Sequence, residues 1–227
     1  MNQPTAIVRS RLTTPRAAAI AGILFSLLLI TSLVLIRVSV PADAQDAGAW
    51  LNQNWTKVNF ALNLLPFAGI AFLWFIGVVR DRIGENEDRL FATVFLGSGL
   101  LFLAMLFTSA AIAGGIINLY GVSPGVLMSA GVYSFGRLIT YQIMNVYAMK
   151  MAGVFMITTS TLSLRTGIFP RWMAFLGILL ALILLLTVSM FYWAPIVFPL
   201  WVLLISVYIL LVNLRKPKNE PIPASQG

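Results

Sequence analysis

Residues 17–36 contain no charged side chain, and only Ser26, Thr31 and Ser32 interrupt their apolar character. A helix of about 20 residues, rising about 1.5 Å per residue, spans about 30 Å, the depth of a bilayer's hydrocarbon core. No other feature restricts the fold so sharply. In lipid each backbone N–H and C=O must be satisfied within the segment, so a single crossing has to be helical. Ala42-Asp43-Ala44 fits a signal-peptide cleavage pattern, but a signal core is shorter, about 7–15 residues. The run therefore reads as a retained first span.

Comparable stretches follow at residues 58–79, 91–117, 138–165, 172–192 and 195–214. The chain of 227 residues is 59% hydrophobic and 10% charged. Soluble domains are nearer half apolar and a quarter charged, so only a bilayer could cover this much apolar surface. The expected fold class is an all-α polytopic transmembrane helix bundle of about six spans. Residues 1–16 form a cytoplasmic N-terminal segment, 17–214 the bundle, and 215–227 a cytoplasmic basic, proline-rich tail.

Charge orients the bundle. With six spans, Arg9, Arg11, Arg16, Arg80, Arg82, Arg89, Arg165, Arg171, Arg215, Lys216 and Lys218 share the side of the N-terminus. Arg37, Lys57 and Arg137 fall on the other side. The positive-inside rule then places both termini in the cytoplasm, with the chain in the cell (inner or plasma) membrane. The net charge of +8 does not point to nucleic acid, because the basic residues lie between apolar runs and form no stripe with aromatics.

Cysteine and histidine are both absent. This excludes disulfides, thiolate nucleophiles, iron–sulfur clusters, histidine-ligated haem and histidine general bases within the chain. No cofactor and no metal site are expected. Gly121-Val122-Ser123-Pro124-Gly125 fits the hydrolase G-x-S-x-G pattern, but it follows a helix and has no histidine partner. Ser123 reads instead as an N-cap with Pro124 at the first helical position, opening the long fourth helix. Glu85, Glu87 and Asp88 suit the positive end of the third helix better than a calcium loop. Met144, Met149, Met151 and Met156 read as flexible packing rather than copper ligands.

The fourth span carries the polar signal. At about 100° per residue, Tyr141, Gln142, Asn145, Met149, Ala152, Gly153, Met156, Thr159, Ser160 and Ser163 fall on one face. Such a face must turn toward other helices or a wet cavity. Lys150 sits about a third of a turn away, beside Tyr147. A membrane edge near Leu138 would put Lys150 near the bilayer centre. An edge near Asn145 would leave it about 8 Å inside, within snorkelling reach. Asn63 lies in the second span, where Pro66 predicts a kink. Asn63, Gln142, Asn145, Tyr147 and Lys150 are the candidate polar path or partner contact. Ser109, Ala110, Ala113 and Gly114 form the expected helix-packing face of the third span. Residues 47–55 are expected as a short interfacial helix presenting Trp50, Leu51 and Trp55.

Lys150-Met151-Ala152-Gly153-Val154-Phe155, Ser160-Thr161 and Arg165-Thr166-Gly167-Ile168-Phe169-Pro170-Arg171-Trp172 resemble a pattern in uncharacterised bacterial six-span membrane proteins. The resemblance covers the inner part of the fourth span and the turn into the fifth. It implies a bacterial origin and a six-span topology, and it carries no site or activity. In physical terms, Gly167 and Pro170 end one helix and Trp172 anchors the next at the interface.

The missing residue types and the two packing faces point to a non-catalytic subunit or packing partner in a membrane complex. Its partners would be membrane lipids and another membrane protein or a second copy of itself. The alternative is a small solute or ion carrier or channel with its polar path along the fourth span. An intramembrane enzyme is disfavoured, since its acid–base chemistry would fall to Lys or Tyr alone.

Overall fold

The computed structural model describes residues 14–42, 48–83, 89–129, 131–187 and 192–215. Helix accounts for 93% of them and no strand occurs among them, so the fold is all-α. The helices are α1 (Thr14–Ser39), α2 (Trp50–Ile83), α3 (Arg89–Val122), α4 (Pro124–Ser129), α5 (Val132–Gln142), α6 (Met149–Thr166), α7 (Arg171–Thr187) and α8 (Val197–Arg215). A π-helical segment, Ile143–Ala148, joins α5 to α6 without a break, and a 3₁₀ turn, Ala194–Ile196, leads into α8.

Four stretches are long and apolar enough to cross a bilayer: Ala17–Ser39, Trp50–Arg80, Leu90–Val122 and Ala194–Val212. Helix α7 is apolar but shorter. The continuous helix 132–166 carries Arg137, Lys150 and Arg165 and is not among the four. Several apolar helices of this kind are compatible with a multi-pass membrane protein. The outer surface agrees. Trp74 is 66% and Phe67 63% exposed, and a water-facing surface rarely gathers such side chains in large patches.

Two boundaries differ from the sequence reading. The expected short helix at 47–55 is not separate: α2 starts at Trp50 and runs unbroken past Pro66 to Ile83. No helix breaker lies between Trp50 and Val58. The first turn is also held from outside: Trp50 Nε1 donates to Tyr133 Oη at 2.8 Å, and Tyr120 Oη donates to Asn52 Oδ1. Pro124 does open a helix, with the Val126 and Leu127 amides bonded to the Ser123 carbonyl. That helix is short, however. Gly131 takes a left-handed φ of 65°, which a residue without Cβ adopts at little cost, and the chain turns there before α5.

The turn from α6 to α7 follows expectation. Gly167 adopts φ 68° and its amide bonds the Ser163 carbonyl at 2.8 Å, the left-handed helix cap that glycine favours. Pro170 then accepts from the Met173 amide, and Arg171 and Trp172 are exposed.

Five helices meet at a cluster of phenylalanines. Phe72 of α2 lies 4.5 Å from Phe25 of α1, 5.4 Å from Phe102 of α3, 5.2 Å from Phe155 of α6 and 5.6 Å from Phe198 of α8, centroid to centroid. All five are fully buried. Most of the pairs are tilted or edge-on, the arrangement that aromatic quadrupoles favour. The cluster fills the centre of the bundle.

Candidate functional site

One end of the bundle gathers the C-terminal end of α1, the first turns of α2, the last turns of α3, α5 with the π segment, and Tyr192 ahead of α8. Between them lies an apolar cavity of about 160 Å³. Leu33, Leu62, Leu65 and Leu106 line it and are buried. The small residues Ser109, Ala110 and Ala113 form one wall. Here small side chains leave space as well as bring backbones together. Ser109 Oγ donates to the Thr140 carbonyl at 3.1 Å, which fastens α3 to α5, whereas a Cβ added at Gly114 would meet nothing within 4 Å.

Several of the cavity's polar groups are linked to one another. Arg37 Nη2 donates to Asn145 Oδ1, and the Arg37 guanidinium carbon sits 3.8 Å from the centre of the Tyr192 ring. Tyr192 Oη in turn reaches the carbonyls of Arg37 and Val40, each at 3.3 Å. Asn145 Nδ2 donates to the Tyr141 carbonyl at 3.0 Å. Arg137, also on the lining, donates to the Pro41 carbonyl. A second, more open volume of about 400 Å³ shares Arg37, Val40, Pro41, Ala42, Trp50 and Tyr192 with the first and adds Gln53 and Asn54. Arg37 thus stands where an apolar chamber meets a polar vestibule.

Of the five candidate polar residues, Asn145 lines this cavity. Asn63, Gln142, Tyr147 and Lys150 are exposed and are not on its wall. Asn63 Nδ2 bonds the Asn59 carbonyl of its own helix at 2.9 Å. The predicted face of the fourth span is buried from Asn145 through Met149, Ala152, Gly153, Met156, Thr159 and Ser160 to Ser163. Tyr141 and Gln142, the first two residues of that face, are exposed. The π segment explains the slip. Its bonds run i to i+5, so the turn takes in an extra residue and rotates what precedes it away from the buried stripe.

Sequence reasoning missed Arg37, Arg137 and Tyr192 as site residues. In the sequence Arg37 and Arg137 stand out only as charges marking one side of the bundle. Nothing local signals their meeting, since Arg37 and Asn145 are 108 positions apart.

The acidic group Glu85, Glu87 and Asp88 lies outside the described residues. The Arg165 guanidinium carbon lies 4.6 Å from the centre of the Phe91 ring.

No family model, curated protein or solved structure matches the chain.

Proposed function

We propose that this chain is a six-span protein of a bacterial plasma membrane, with both termini cytoplasmic. We read it as a non-catalytic binding or packing subunit rather than a conduit. The observation that carries this reading is the phenylalanine cluster. A pore needs a continuous wet path, and the axis of this bundle is occupied by buried rings from five helices. The cavity opens at one end and reaches Leu106, one turn from Phe102.

The placement in the membrane follows from helix rise. Twenty residues back from Arg165 is Asn145, and the first apolar run ends at Arg37. The hydrogen bond between those two side chains supports a common level for both. If that level is the outer edge of the hydrocarbon, Lys150 lies five residues inward, about 8 Å. It is exposed, and a lysine at that depth reaches the interface by extending its stem. The early part of α2, the end of α3, and α4 and α5 then stand above the bilayer as an outer cap.

Two measurements test the reading. A reporter fused after Gly227 is expected in the cytoplasm, and one inserted between Ala42 and Gly48 outside. The purified protein in proteoliposomes is expected to pass small ions and solutes no faster than empty vesicles. Flux that Lys150→Met abolishes would put the carrier alternative in its place.

A further inference from the structure

We infer that the outer cavity binds a single-chain amphiphilic anion: a compact oxyanion head held at Arg37, with its apolar chain in the adjoining chamber. The inference rests on the membrane placement proposed above. Three observations converge on it. First, the chamber wall is mostly apolar, with Leu33, Leu65 and Leu106 buried in it. Its volume of about 160 Å³ is similar to that of an engineered apolar cavity, about 150 Å³, that stays dry and takes up benzene. It therefore accommodates the first several carbons of one chain.

Second, a cation stands where the chain would meet its head group. Arg37 is half-buried, and its side-chain contacts among the described residues, Asn145 Oδ1 and the Tyr192 ring, are both uncharged. Arg residues suit compact oxyanions because the planar guanidinium presents several donors in a fixed fork. Asn145 and the Tyr192 ring engage one edge and one face of that fork and hold it at the border between chamber and vestibule. Arg137 lies on the same wall, with its guanidinium bonded to the Pro41 carbonyl.

Third, the chamber adjoins a more polar vestibule, and Arg37 and Tyr192 line both. The vestibule carries Gln53 and Asn54, whereas the chamber carries leucines. A carboxylate and a phosphate monoester share the required chemistry, and the test separates them.

The protein is purified in a neutral maltoside micelle and titrated with dodecanoate, dodecyl phosphate, dodecanol, dodecyltrimethylammonium and inorganic phosphate. Retention is read by native mass spectrometry and by thermal shift. Dodecanoate or dodecyl phosphate is expected to bind at least ten-fold more tightly than dodecanol or the ammonium. Preference for one of the two anions identifies the head group. Arg37→Gln should lower anion affinity about ten-fold, whereas Lys57→Gln, at an exposed position off the cavity, should leave it unchanged. Should Arg37→Gln fail to fold, Ala113→Phe tests the chamber alone: it fills the wall and should abolish binding of every chain-bearing anion. Equal binding of the alcohol and the anions, or tight binding of inorganic phosphate alone, would overturn the inference. Absence of binding with both reporters in their expected compartments would overturn it while leaving the topology in place.

Discussion

Replacing Phe72 by alanine should lower the unfolding free energy by about 3 kcal/mol, near the low end of the range for Phe→Ala in soluble cores. The membrane setting is why the low end applies. In water the loss combines a transfer term and a cavity term. Lipid tails are as apolar as the bundle's interior, so the transfer term nearly vanishes and lost packing remains. That packing is dense around Phe72: four rings from four other helices lie within 5.6 Å of it, and a fifth, Phe75, at 6.1 Å. Each aromatic pair adds about 0.5–1.5 kcal/mol beyond buried area. Because no single helix can close a void bordered by five, the site relaxes poorly. The measurement is unfolding in maltoside micelles titrated with dodecyl sulfate. Trp74→Ala, two residues along α2 on the outer surface, is the matched control and should change stability by no more than about 0.5 kcal/mol. Equal losses for the two variants would mean that the phenylalanine cluster does not hold the bundle together.

The same physics decides what could be read from the sequence. The apolar runs announced α1, α2, α3 and α8, since bilayer thickness fixes a length that composition must match. Gly167 and Pro170 announced the end of α6, because cap chemistry is local. The fourth span's stripe predicted its buried face from Asn145 to Ser163, where polar and small residues contrast with aliphatic ones. In α1, α3 and α8 no such contrast exists. Leucines facing lipid and leucines facing neighbours look alike, so nothing marks Phe25, Phe102 or Phe198 as central. The cavity was illegible for a further reason. Its wall joins residues from α1, α2, α3, α5, the π segment and the approach to α8. Arg37 gave a local signal only as an end-of-helix charge, and Ser109, Ala110 and Ala113 only as a surface for close approach. The π segment also lay beyond pattern reading, since a single extra residue in one turn leaves composition unchanged while rotating Gln142 out of the stripe.

The second large effect is expected at Gly177, where α7 presses on both α6 and α8. A Cβ placed there would lie 2.2 Å from Ser160 Oγ and 2.6 Å from Trp201 Nε1. Neither neighbour has room to give: Ser160 is fully buried and Trp201 is 1% exposed. Neither polar atom has a hydrogen-bond partner among the described residues, so the contact here rests on packing. In a bilayer such contact is the main source of helix association, and glycine is what permits it. Gly177→Leu should therefore cost at least about 3 kcal/mol, the upper end of typical overpacking losses. Gly177→Ala gains about 1 kcal/mol of helix propensity and meets the same two atoms. Its net loss should be about 1–2 kcal/mol. A double-mutant cycle locates the clash: Ser160→Ala removes the nearer atom and should restore about half of the Gly177→Ala loss, a coupling of the size that touching residues show. Additive losses, or no loss at Gly177, would mean that α7 does not seat against α6 and α8 at this point.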